Sequence, residues 1–290
     1  MSPSIPSPST DALQIRPMRP EEISIAIDWA AAEGWNPGLA DAACFATVDP
    51  RGFLIGEFDG ETAATVSCVG YGASFAFLGF CIVRPDLRGR GLGLQIWNAA
   101  IAHAGSRVIG LDGVVAQQEN YRKSGFKLAY ANIRYGGTVA PPPDIPHDDV
   151  MPLSEIPLAD VEAYDAAVFP APRSAFLRSW IGTQGHVGRA VVHDGRLTGW
   201  GVIRPCRTGR KIGPLVADDR ATAEVVLSAL LTAAGGGEVF LDVPGTNRDA
   251  VALAQGLGLA PVFETARMYT SAIPPLRLER VFGVTSFELG

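Results

Sequence analysis

The sequence predicts a mixed α/β (α+β) chain built as two similar halves, each a mostly antiparallel mixed sheet flanked by helices. Three observations carry this. Apolar runs of strand length, several joined by Asp-Gly turns, alternate with segments of helical period. Prolines crowd one short stretch near the middle of the chain. The order of elements before that stretch recurs after it.

Met1–Thr10 is rich in Ser and Pro and reads as a flexible tail. A short strand then leads into a helix over Ile15–Glu33, with Pro20 in its first turn and Glu21 and Glu22 behind it. Gly34-Trp35-Asn36-Pro37-Gly38 is a turn or loop. Gly52–Phe58 and Thr62–Tyr71 form a hairpin around Asp59-Gly60, a pair that tolerates the positive φ a tight hairpin demands. Phe75–Val83 is an apolar run with the character of a buried strand, and Leu92–Ala104 is a helix. Arg107–Leu111 is a short strand, Gln117–Lys123 a helix ending at Gly125, and Phe126–Tyr135 a closing strand. Thr138–Val150 holds Pro141, Pro142, Pro143 and Pro146 and reads as a stiff linker. The expected units are therefore a tail at 1–10, a first domain at 11–137, a linker at 138–150 and a second domain at 151–290.

The second half repeats the plan. Val187–Val192 and Leu197–Arg204 form a hairpin around Asp194-Gly195, followed by a strand at Ile212–Val216 and a helix at Ala221–Ala234. A strand at Val239–Val243, a helix at Asn247–Gly256 and a strand at Pro261–Tyr269 complete it. An offset of 133 residues lays Gly125 on Gly258 and Arg134 on Arg267, and an offset of 132 lays Arg88 on Arg220. The chain is a duplication in outline.

The net charge of −6, without any Lys/Arg block, argues against nucleic acid or an anionic membrane as partner. No apolar run approaches the ~20 residues that span a bilayer, and Met1–Thr10 lacks the apolar core of a signal peptide. Cys44, Cys68, Cys81 and Cys206 have no metal or redox spacing, which suggests reduced thiols and a cytoplasmic location. The four histidines show no metal spacing, so no metal is expected, and no Gly-x-Ser-x-Gly elbow suggests a hydrolase. Arg204, Arg207, Arg210 and Lys211 form a basic cluster, read as a solvated edge or an anion contact.

The stretch Val83-Arg-Pro-Asp-Leu-Arg-Gly-Arg-Gly-Leu-Gly93 is the most informative in the chain. Strand, glycine-rich turn and helix follow in that order, an arrangement that offers backbone N–H groups and a helix dipole to an anion. Gly89, Gly91 and Gly93 allow close approach, and Arg88 and Arg90 add charge. A P-loop requires Gly-x-x-x-x-Gly-Lys-Ser/Thr, which is absent, and the dinucleotide fingerprint has a different spacing. The remaining pattern, Arg/Gln-x-x-Gly-x-Gly/Ala, is met by Arg88, Gly91 and Gly93.

This stretch resembles the acyl-CoA motif of the GNAT N-acetyltransferase superfamily, and Tyr121-Arg-Lys-Ser-Gly125-Phe126 resembles that family's Tyr-x-x-x-Gly-Phe segment. The likeness covers roughly residues 13–137. Glu33–Gly38, Gly213–Ala217, Leu241–Pro244 and Gly283–Gly290 resemble segments of tandem GNAT proteins whose C-terminal half is a degenerate GNAT domain. The residues agree, since Gly91 and Gly93 fall on Ala223 and Val225, with Glu224 between them, and Tyr121 falls on Ala254.

The resemblance implies acetyl transfer from acetyl-CoA to an amine, expected to be a small primary amine, by direct attack in a ternary complex. Under it, Cys81, Ile82 and Val83 would offer backbone groups to pantetheine and polarise the thioester carbonyl. Arg88 and the segment Gly89, Arg90, Gly91, Leu92, Gly93 and Leu94 would hold the pyrophosphate. Tyr121 would hand a proton to the departing thiolate, with a phenol pKa of ~10 against a thiol of ~8.5. Glu33 and Asp112 are candidates for the general base, and Trp35 and Asn36 for contacts to the acceptor. The C-terminal half would wall the acceptor pocket. Many relatives carry Asn seven residues before the tyrosine, where this chain has Val114; Asn120 is expected to point elsewhere. Other functions open at this point are an acyl-CoA sensor and a protein-lysine acetyltransferase.

Overall fold

A computed structural model describes residues 12–143 and 147–290. The expected tail at Met1–Thr10 and Pro146 of the expected linker lie outside them.

The first half runs β1 (Gln14–Pro17), α1 (Ile23–Ala32), α2 (Asp41–Phe45), β2 (Phe53–Phe58), β3 (Glu61–Tyr71), β4 (Phe75–Val83), α3 (Leu92–Ala104), β5 (Val108–Val114), α4 (Gln118–Lys123) and β6 (Lys127–Val139). The helix expected from Ile15 starts later. Gln14–Pro17 pairs with β2 instead, and Pro20 opens a 3-10 turn leading into α1. Proline biases its predecessor towards extended backbone, so Pro17 and Pro20 delay the helix. The Asp59-Gly60 turn forms as expected, with both residues at positive φ.

The second half runs β7 (Val150–Pro152), α5 (Leu158–Asp165), α6 (Ser174–Gly182), β8 (Val187–His193), β9 (Arg196–Pro205), β10 (Arg210–Ala217), α7 (Arg220–Ala234), β11 (Gly237–Pro244), α8 (Arg248–Gly256), β12 (Ala260–Tyr269) and β13 (Val281–Gly283). Helices α2, α5 and α6 are not among the elements that the sequence predicts. Each spans at most nine residues, which leaves little room for a helical period to show.

All of these strands join one sheet in the order β1-β2-β3-β4-β5-β12-β6-β11-β10-β9-β8-β7, with β13 beside β10. It is mostly antiparallel. The parallel pairs β4–β5 and β10–β11 are the ones crossed by α3 and α7. The prolines at 141–143 divide the sequence but not the sheet, because the two halves exchange their last strands. β12 pairs with β5 of the first half, β6 pairs with β11 of the second, and β6 and β12 pair with each other at the seam.

Buried ion pairs fasten the exchange. Arg267 of β12 binds Asp112 of β5 through two hydrogen bonds of 2.8 and 2.6 Å, and Arg134 of β6 binds Asp242 of β11 through two of 2.6 and 2.8 Å. The two arginines are the residues that the 133-residue offset superposes, and each reaches into the other half of the sequence. Such two-point pairing fixes geometry as well as charge. A third buried pair, Arg204–Asp41, ties β9 to α2. The core crosses the seam too, with Phe45 stacked on Trp180 at 6.1 Å between ring centroids.

Arg267→Ala would strand Asp112 without its partner. We expect it to lower the unfolding free energy by about 3–5 kcal/mol, whereas Arg220→Ala, which breaks the exposed Arg220–Glu224 pair on α7, costs less than ~1 kcal/mol. Urea denaturation of both variants measures the difference, and equal midpoints would show that the buried pair does not hold the strands.

Candidate active site

The glycine turn lies between β4 and α3. A 3-10 turn at Pro85–Leu87 precedes Gly89 and Gly91, both at positive φ and both with open space where a side chain would project. Among the described residues no side chain caps the start of α3, where Gly91 is the N-cap residue. The first-turn N–H groups are thus left for a ligand. A Cβ on Gly93 would press on Val83 at 3.3 Å. The matching turn of the second half is closed by its own side chains: Asp219 accepts from the Thr222 amide at 2.8 Å, and Glu224 pairs with Arg220.

A gap opens beside the turn. β4 pairs with β5 only from Phe75 to Leu78, after which β5 pairs with β12 alone and β4 leaves it. The departure coincides with a register shift against β3, where Phe80 takes φ +50° and its carbonyl accepts from Thr65 Oγ1 at 3.0 Å. Positive φ at a bulky residue is costly and marks a bulge that re-aims the strand. The gap continues into a cavity of about 780 Å³ that reaches from the glycine turn to Phe263, Phe287 and Glu288 of the second half. Its walls include Cys81, Ile82, Val83, Gly89, Leu92 and Leu94, together with Gly91 and Gly93. Burial pushes the Cys81 thiol up to about 12, which makes it a packing residue and not a nucleophile.

The corresponding gap in the second half is filled. There β13 pairs with β10 at Leu215–Val216, beyond the stretch where β10 pairs with β11. The chain's own strand occupies the place that remains open beside β4.

Tyr121 lines the cavity, stacked on Trp97 with ring centroids 5.5 Å apart. A Cβ on Gly113 would overlap the Tyr121 ring, so glycine at that position of β5 makes room for it. Burial raises the Tyr121 pKa and keeps it a neutral hydrogen-bond donor.

Several expected site residues are placed otherwise. Arg88 lines the cavity, but its guanidinium is paired with Glu33 and donates from Nε to the Val83 carbonyl at 3.0 Å. Arg90 packs over the Phe58 ring at 4.5 Å and does not line the cavity. Trp35 lines it, while its carbonyl accepts from Arg134 at 2.6 Å. Asn36 does not. Its side chain forms two 2.9 Å hydrogen bonds with the backbone of Thr208 and joins the loop to the β9–β10 turn. Asp112 borders the cavity, but Arg267 holds both its oxygens and Asn132 donates to one, which makes it part of the seam. Asn120, expected to point away, lines the cavity alongside Val114. Of the basic cluster, Arg204 and Lys211 are buried at the seam instead of forming a solvated edge.

Glu288 was not among the sequence candidates. It is 3% exposed, borders the cavity, and its Oε2 has no hydrogen-bond partner. A glutamate inside the apolar run Phe287-Glu288-Leu289 was the available signal.

The sequence model for the GNAT acetyltransferase family matches residues 19–126, and a model for a GNAT acetyltransferase domain matches residues 161–283. A holothin acyltransferase from Pseudoalteromonas sp. (strain SANK 73390) is 32% identical over 276 residues, covering 95% of this chain and 94% of the relative. The crystal structure of a proposed acetyltransferase from Pyrococcus horikoshii superposes with a TM-score of 0.81 at 21% identity, over 100% of this chain and 99% of that one. A tandem GNAT protein from the clavulanic acid biosynthesis pathway superposes with a TM-score of 0.62 at 16% identity, over 90% of this chain and 100% of that one. With two GNAT domains matched in sequence and a relative aligned along almost its entire length, the chain belongs to the GNAT acyltransferase superfamily as a tandem member.

Proposed function

We propose that this protein is an N-acetyltransferase that moves acetyl from acetyl-CoA to the primary amine of a compact acceptor, with its single working site in the first half. The observation that carries this reading is the contrast between the two gaps. One is open and leads from an uncapped glycine turn past Tyr121 into a cavity, and the other is filled by β13. The donor set suits acetyl-CoA. Backbone N–H groups at the start of α3 would meet the pyrophosphate, and the free edge of β4 at Cys81 and Ile82 would meet pantetheine. Tyr121, neutral and buried, would give its proton to the leaving thiolate.

The acceptor would enter from the far end, where Phe263, Phe287 and Glu288 of the second half meet Trp35 of the first. These side chains would face a compact amine there, a small molecule being the acceptor we propose. The similarity to a holothin acyltransferase supports acyl transfer at such a site. The free cysteines accord with a cytoplasmic setting.

Two variants test the reading. Gly91→Glu puts a carboxylate and a strained backbone in the pyrophosphate position, so calorimetry should detect no CoA binding; unaltered affinity would overturn the cradle. Tyr121→Phe should leave CoA affinity unchanged while thiol release, followed with an amine panel, falls by about 100-fold or more. A phenylalanine variant with full turnover would make the tyrosine structural. Wild-type protein that binds CoA but acetylates no amine would point to an acyl-CoA sensor.

A further inference from the structure

The cavity wall contains three carboxylates, and two of them are engaged: Glu33 with Arg88, and Asp112 with Arg267 and Asn132. Among the described residues, the buried Oε2 of Glu288 has no hydrogen-bond partner. An unpaired buried carboxylate oxygen is strongly disfavoured, and such groups persist where a ligand supplies the donor. The Thr265 Oγ1, also buried and also on this wall, has no partner either.

We propose that Glu288 receives the acceptor: its carboxylate binds the ammonium of a compact amine whose apolar body lies against Phe263 and Phe287, and it takes the proton the nitrogen must lose before attack. This rests on the reading of the cavity as an acyl-transfer site.

The position of Glu288 favours this role. A Cβ on Gly79 would overlap the Glu288 carbonyl, so the Glu288 backbone lies directly on β4 one residue before the bulge. The Glu288 backbone therefore sits where β4 leaves β5, and the residue borders the same cavity as Cys81 and Ile82. It is also rigidly mounted. The Val284 amide donates to the Asp242 backbone carbonyl, the Leu289 amide to Ser286 Oγ at 3.1 Å, and the Tyr71 hydroxyl to the Leu289 carbonyl at 2.9 Å.

The arginines nearest Glu288 are already paired. Arg134 is matched by Asp242, and Arg204 by Asp41. Lys211 remains, but its Nζ has no hydrogen-bond partner, and burial together with Arg134 lowers its pKa. Burial raises the Glu288 pKa, with Asp41 and Asp242 adding to the rise and Lys211 and Arg134 opposing it. That shift brings the carboxylate closer to the pKa range of an amine and makes it a better base.

The protons balance. One leaves the ammonium for the Glu288 carboxylate. The nitrogen lone pair then attacks the thioester carbon, the C–N bond forms and the C–S bond breaks. A second nitrogen proton replaces the one that Tyr121 gives to the thiolate, and Glu288 returns its proton to water.

The test uses the full chain and a panel of compact primary amines with their isosteric alcohols. Amine binding is measured by calorimetry on CoA-loaded protein, and transfer by thiol release across pH. Glu288→Gln should bind CoA as wild type does, lose amine binding, and lose about 100-fold or more in kcat/KM. Wild-type kcat/KM should fall as pH drops through the Glu288 pKa, and the variant should lack that acid limb. Wild-type amine affinity and an unchanged pH profile in Glu288→Gln would overturn the inference. A measurement without any variant guards against misfolding: CoA-loaded wild-type protein should prefer amines to their alcohols by at least ~10-fold, and equal affinity would likewise overturn it. If wild type transfers no acetyl group while amine binding still depends on Glu288, the acyl-transfer reading fails and the amine site stands.

Discussion

The structure depends on a pair of buried arginine–aspartate bridges placed symmetrically about the seam. Arg267–Asp112 and Arg134–Asp242 each join a strand of one half to a strand of the other, with all four side chains almost without solvent contact. A buried ion pair adds little net stability over well-packed apolar residues, but a mismatched one is severely penalised. Its effect is selective. A β12 folded back onto its own half would leave Arg267 away from Asp112, and the same holds for β6 and Asp242. The bridges thus favour the exchanged pairing, which makes two sequence repeats into one sheet.

That exchange has consequences for the site. With β12 beside β5, the second half reaches the edge of the first half's gap and contributes Phe263 and Thr265 to it. β13 fills the second half's own gap, and the segment after it crosses to β4 and delivers Phe287 and Glu288. Under the proposed reading, the half whose turn is closed by its own side chains still supplies the wall on which an acceptor would rest.

The electrostatics follow the same division. At the glycine turn, backbone N–H groups and a helix dipole offer positive potential without a committed cationic side chain, since Arg88 is paired with Glu33 and Arg90 packs on Phe58. At the opposite end the arginines are matched by aspartates, while among the described residues Lys211 Nζ and Glu288 Oε2 have no hydrogen-bond partner. A cavity polarised in this sense suits an anionic carrier entering at one end and a cationic nucleophile at the other.

The sequence by itself determined much of this protein. The strand–turn–helix cradle is local, set by glycines and by hydrophobic period within about twenty residues, and it reads directly from the chain. So do both Asp-Gly hairpins, the repeat, and the placing of Tyr121 on a short helix after β5. Short helices such as α2 and α5 were not legible, because one or two turns show no period. Nor were the roles of Asn36, Asp112 and Arg204, whose partners across the seam lie between 155 and 172 residues away. Spacing cannot show that an aspartate at a strand end is claimed by an arginine of the other repeat. Only the tertiary structure decided that the repeats exchange strands, that β13 closes one gap, and that Glu288 stands unpaired beside the other. Those outcomes are set by which distant surfaces exclude water together, and burial is what turns an ordinary glutamate into one that lacks a partner.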